Sequence, residues 1–196
     1  MLPAIGPFFW VRKFLRRAFA QAYAAVLYYR YIILKQRFGA DAAFQWASEA
    51  AAGHRGDRGV LIRRALLSRW LRVAAADVII GDGTIFTKKT MSIGSRVDIG
   101  ARCVLGSVLL GDDVSIGDGV MIPSGKRQHG TRTDLPMRQQ LGTFTTVHLG
   151  TGCRIGSGAV LLADICDCAV IPPGAVVTRP ITAGDALSCA WLDRPQ

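Results

Sequence analysis

From Val78 onward a large aliphatic residue recurs every six positions, and the residue after it is almost always glycine. The pairs are Ile80-Gly81, Ile93-Gly94, Ile99-Gly100, Leu105-Gly106, Leu110-Gly111, Ile116-Gly117, Leu149-Gly150 and Ile155-Gly156. Ile122-Pro123 and Ile171-Pro172 keep the phase with proline. Four residues after the aliphatic comes a small or aliphatic one: Thr84, Val97, Cys103, Leu109, Val114, Val120, Cys153, Ala159, Ala169 or Ala175. A period of six is neither the 3.6 of a helix nor the two of an isolated strand.

A coil of three short strands accounts for each residue type. One strand per hexad points its aliphatic residue into a narrow three-sided core. Glycine supplies the permissive backbone at the corner, and only a small side chain fits the fifth position. The anchors group as 93/99/105, 110/116/122, 149/155/161 and 165/171/177. The reading is a β-helix of hexapeptide repeats. Cys103 and Cys153 fall on fifth positions and are expected to pack in the core. The five cysteines are odd in number and contain no Cys-x2-Cys pair, so they read as reduced thiols in a cytosolic setting.

The first third has a different character. Residues 1–72 hold 13 Lys and Arg against 3 Asp and Glu, which accounts for the whole net charge of +10. Residues 8–38 lack proline, and their aromatic and aliphatic residues recur at helical spacing between Arg12, Lys13, Arg16 and Arg17. Residues 39–59 read as a short helix and a loop. Val60–Val73 reads as a second basic amphipathic segment, with Ile62 and Leu66 set against Arg63 and Arg64. Residues 8–38 fit an anionic membrane surface, contact with a neighbouring subunit or, least favoured because short and charged, a membrane span; residues 60–73 fit a membrane surface or a cap on the next domain. The start has no basic stretch ahead of an apolar run, so no cleavable leader is expected. No recognition motif accompanies the charge, and nucleic acid is not expected as a partner.

The hexad phase stops after Ile122 and resumes at Leu149, and the interruption is polar and basic. The chain here resembles the left-handed β-helix acyltransferases with hexapeptide repeats, in particular the maltose, galactoside and exopolysaccharide O-acetyltransferases. The resemblance covers residues 78–181. It implies an all-β left-handed parallel β-helix with an α-helical N-terminal extension. It also implies a homotrimer, with acetyl-CoA in the cleft between subunits and no metal. The divisions expected are a helical region 1–76, a β-helix 77–182 with an inserted loop 123–148, and a tail 183–196.

In similar enzymes a loop at this place reaches the adjacent subunit and carries the catalytic histidine; His129 stands there. Imidazole can take a hydroxyl proton and return it to a departing thiolate. Lys126, Arg127, Arg132 and Arg138 surround His129 in sequence and suit an anionic acceptor or CoA phosphates. The resemblance makes Gly156, Ser157, Ala159, Gly174, Ala175, Thr178 and Arg179 candidate CoA contacts. Asp98, Asp113 and Asp134 are candidates to orient His129. His148, one residue before an anchor, is expected to face outward.

Three departures from the family's pattern fall near the CoA end. Arg154 replaces a common aromatic, Asp164-Ile-Cys-Asp-Cys is about two residues short, and Leu187-Ser-Cys-Ala replaces the closing motif. The function expected is O-acetyl transfer to a sugar hydroxyl of an exopolysaccharide or lipid-linked precursor, at the inner face of the cytoplasmic membrane. The alternatives are a membrane-associated scaffold without activity and a zinc-dependent β-helical carbonic anhydrase. The latter needs three histidines, and the repeat region holds only His129 and His148.

Overall fold

The computed structural model describes residues 7–70, 77–125, 130, 133–134, 136, 139–140 and 142–183. Three helices come first: α1 (Pro7–Phe38), α2 (Ala40–Ala52) and α3 (Gly56–Leu67). Among the described residues thirteen short strands follow. Face A of the coil is β1 (Ile79–Ile80), β4 (Asp98–Ile99), β7 (Ser115–Ile116), β10 (Arg154–Ile155) and β12 (Val170–Ile171). Face B is β2 (Ile85–Phe86), β5 (Val104–Leu105), β8 (Met121–Ile122), β11 (Val160–Leu161) and β13 (Val176–Val177). Face C is β3 (Ser92–Ile93), β6 (Val108–Leu110) and β9 (Val147–Leu149), continued by single parallel bridges at Ile165 and Ile181.

All pairings between the named strands are parallel, and the chain forms a left-handed β-helix of five coils. Each coil sends three anchors inward, from Ile80, Phe86 and Ile93 in the first coil to Ile171, Val177 and Ile181 in the fifth. All of these are buried. Phe86 and Ile181 complete the set that the aliphatic rhythm marks. Cys103 and Cys153 are fully buried, as their fifth-position placing requires. Leu109, expected inside, instead lies half-buried on the outer side of face C. Leu105 and Leu110 are five residues apart rather than six, so Val108 takes the interior place.

The A–B and C–A corners need a left-handed backbone whatever residue occupies them, and it falls three residues after the anchor rather than on the glycine that follows it, where the next coil leaves no room for a side chain. Between faces A and B the positive-φ residues are Gly83, Arg102, Gly119, Gly158 and Gly174. Between faces C and A they are Arg96, Asp113, Gly152 and Cys168. Such a conformation costs a non-glycine residue about 1–2 kcal/mol. Part of that is offset where Arg96 and Asp113, stacked on successive coils, form a two-pronged ion pair at 2.6 and 2.7 Å. The Arg96 guanidinium holds the Asp113 carboxyl below its usual range.

The first coil would expose an unpaired strand edge, and α2 and α3 cover it. The Phe86 N–H donates to Ser48 Oγ at 2.8 Å, and the Gly83 N–H donates to the Ala52 carbonyl. Arg63 is the latch. Its side chain is 2% exposed and donates to the carbonyls of Ile80 and His54 and to Asp82 Oδ1, at 2.9, 2.6 and 2.7 Å. Asp82 in turn accepts the Gly56 N–H, which holds its carboxyl below the ordinary value. Of the two readings of 60–73, the cap is the one the described part of the segment adopts. Ile62, Arg63, Leu66 and Leu67 are buried in the cap, so that side of α3 is not open to lipid.

Candidate functional site

The long insertion leaves the coil after β8 on face B and returns at β9 on face C, so it emerges at the B–C corner of the third coil. Its neck is described from both sides. The Thr145 N–H donates to the Ser124 carbonyl at 3.0 Å, which holds the outgoing and returning chains together. Gly125, at φ 83°, turns the chain outward; a side chain there would collide with Thr145 Oγ1. Ser124 Oγ accepts the Ser107 N–H at 2.9 Å, and Ser107 Oγ lies 2.7 Å from Thr146 Oγ1 and 3.0 Å from Thr90 Oγ1. A hydroxyl ladder thus ties the neck to the first and second coils. On the returning chain Phe144 sits under the Lys88 ammonium at 4.4 Å.

Beside the neck runs a groove of about 410 Å³ along the B–C corner of coils three to five. Thr143, Thr145 and Thr146 line one side; Leu162, Asp164 and Pro180 line the other. Asp164 Oδ1 accepts the His148 N–H at 2.8 Å, fixing the carboxylate at the rim. These threonines were not picked out from sequence. The run Thr-Phe-Thr-Thr immediately before the repeat resumes was the signal available.

His129, Lys126, Arg127, Arg132 and Arg138 lie outside the described residues. The candidate CoA contacts divide between two corners. Gly156, Ser157, Gly174 and Ala175 lie at the A–B corner of the fourth and fifth coils, where the Gly174 N–H donates to the Ser157 carbonyl at 2.9 Å. Ala159 is at the same corner, but its methyl is fully buried in the core. Thr178 and Arg179 are exposed at the B–C corner, next to the groove residue Pro180. Face B separates the two sets. Its outward side chains are Ile85, Val104, Met121, Val160 and Val176, an apolar row in continuous register. Face A shows Ile79, Asp98, Ser115, Arg154 and Val170 in the equivalent places, so its row is broken by polar residues at the three middle coils.

Of the residues considered for orienting the histidine, Asp113 is engaged by Arg96 at the C–A corner, and Asp98 faces outward on face A. Asp134 is exposed within the insertion. His148 faces outward on β9, as expected. His54 is in the α2–α3 turn, with its ring edge-on to Tyr23 at 4.7 Å. Among the described residues no three His, Cys, Asp or Glu side chains converge as a metal-holding group.

No protein-family profile matches the chain, and no curated protein matches it. Solved structures do. A maltose O-acetyltransferase from Clostridium difficile 630 superposes with a TM-score of 0.50 at 16% identity, over 72% of this chain and 79% of that one. The two share a fold. AntD, an N-acyltransferase from Bacillus cereus solved with dTDP and coenzyme A, matches at 14% identity and TM-score 0.44, over 57% and 68% of the two chains. A serine acetyltransferase from Neisseria gonorrhoeae matches at 15% identity and TM-score 0.30, over 67% and 49%.

Proposed function

We propose that the chain transfers an acetyl group from acetyl-CoA to a sugar hydroxyl, as on an exopolysaccharide or lipid-linked precursor. One observation carries the reading. The long break in the coil emerges at a corner that also holds a threonine-lined groove and an exposed arginine. The fold shared with a maltose O-acetyltransferase supports it.

The A–B corner of the last coils suits CoA. A Cβ on Gly158 or Gly174 would meet nothing within 4 Å, so the backbone there stands open to a ligand. Arg179 is exposed and offers a cation to a phosphate. The A–B and B–C sets lie on opposite borders of face B, so a trimer packed through the apolar row of face B brings them to one cleft. Interface cores of this kind are depleted in charge.

Bound acetyl-CoA supplies the activated thioester carbonyl. The chain's own work is proton management and positioning. His129 takes the proton of the acceptor hydroxyl as its oxygen attacks, and returns it to the departing sulfur. Such general acid–base action contributes about 10² to 10⁴ in rate. Lys126, Arg127 and Arg132 hold an anionic part of the acceptor, and the groove threonines offer hydroxyls to a sugar.

The test is thiol release from acetyl-, succinyl- and longer acyl-CoA across a panel of sugars. Release with acetyl-CoA and a sugar, and its loss by at least about a hundredfold in His129→Ala with oligomeric mass unchanged, is the expected result. Full activity in His129→Ala removes the histidine from the mechanism. No release with any sugar overturns the reading.

A further inference from the structure

We infer that α1 lies flat on an anionic lipid surface, with the face turned away from the cap buried among the acyl chains. The inference rests on the helix geometry and not on acyl transfer. Ala20, Ala24, Leu27 and Tyr31, at spacings of three and four, are buried in the core of the cap. At 3.6 residues per turn, the opposite side of α1 carries a second stripe. Val11, Phe14, Leu15, Val26, Tyr29 and Ile33 are all exposed there; Phe14 is 70% and Ile33 69% exposed. Exposed Ala18 and Ala22 fill the stripe between them, and no charged residue interrupts it. An ordinary surface helix has one apolar stripe. This one has two, and the cap uses only one.

Charge selects the occupant. The 32 residues of α1 contain seven Lys or Arg and no Asp or Glu. By helical phase, Arg12, Arg30 and Arg37 run along one border of the exposed stripe, and Arg17 and Lys35 lie on the other flank, between it and the buried stripe. Arg12, Lys13, Arg16 and Arg17 also line a groove of about 660 Å³ with Val60, Leu61 and Ile79, where Asp57 lies 3.9 Å from Arg16 and leaves the other three cations in excess. A second copy docked on this stripe would bring the same seven cations against it. Lipid phosphates bring the opposite charge to both borders while acyl chains cover the stripe. Among the described residues no helix is long and apolar enough to cross a membrane, so the helix lies in the interface over its length of about 48 Å.

The test is co-sedimentation of the full chain with phosphatidylcholine vesicles, with and without phosphatidylglycerol. The wild type is expected to sediment only with the anionic vesicles, and less so as salt rises. Phe14→Glu/Ile33→Glu, at two exposed sites, should abolish binding with the circular dichroism and mass unchanged. As a second variant that leaves the stripe intact, Arg12→Gln/Arg17→Gln should weaken partitioning about fivefold for each cation removed. Wild type that stays in the supernatant, or arginine and glutamate variants that bind as well as wild type, would overturn the inference. So would a loss of oligomeric mass in the glutamate variant, which assigns the stripe to a second copy. None of these outcomes depends on thiol release.

Discussion

Cys153 is fully buried between coils, with its Sγ 2.9 Å from the Cys166 carbonyl. Burial pushes its thiol up to about 11, and Cys103 is raised for the same reason. The neutral thiol is therefore the folded form, and only the unfolded chain ionises near the ordinary value. The stabilisation is complete below pH 9 and is lost as pH climbs toward 11. For Cys153 the loss approaches about 3 kcal/mol at the high-pH limit. Urea midpoints should accordingly fall between pH 8.5 and 10.5 in wild type and fall less in Cys153→Ala; equal slopes would contradict the assignment. Both cysteines were legible as core residues because the repeat fixes which hexad position points inward. Leu109 was not placed correctly, since a single missing residue before Leu110 moves the interior place to Val108, and a one-residue slip reverses the side a strand residue faces.

At the scale of elements, the repeat reads easily and the cap does not. A hexad reports its inward residue through its own chemistry. Arg63, by contrast, looks like any cation on a charged helix face. What buries it is the carbonyl of Ile80 on the open edge of the first coil, 17 residues away, together with Asp82. That demand arises only when α3 and the coil meet. Arg63→Ala should destabilise the protein by about 2–4 kcal/mol, because two carbonyls and one oxygen of the Asp82 carboxylate lose the Arg63 donor. Arg63→Met, which restores volume without donors, should recover only part of it. Urea unfolding of the three proteins decides; an Arg63→Ala midpoint equal to wild type would mean that the cap is held by packing alone.

Across the whole molecule the two halves divide the work. The cap holds the positive excess and closes one end of the coil, while the near-neutral β-helix carries the groove and both corners of face B. The apolar row Ile85-Val104-Met121-Val160-Val176 was present in the sequence, one residue before every third anchor. It becomes visible only when hexads are assigned to faces. Met121 is 46% exposed and sits at the middle of the row. In the proposed trimer, Met121→Asp should reduce the mass in light scattering from three times 21.1 kDa toward one chain. An unchanged trimer would place the subunit contact elsewhere, and a monomeric wild type would remove it.

In the proposed mechanism the break in the coil at the B–C corner carries the chemistry. The Ser124–Thr145 hydrogen bond closes the neck, so residues 126–144 can be replaced by two glycines without disturbing the coils on either side. The decisive measurement is acetyl transfer from acetyl-CoA to sugar by this shortened chain. The prediction is a folded protein of unaltered assembly whose transfer falls at least about a hundredfold; transfer at the wild-type rate would contradict the account.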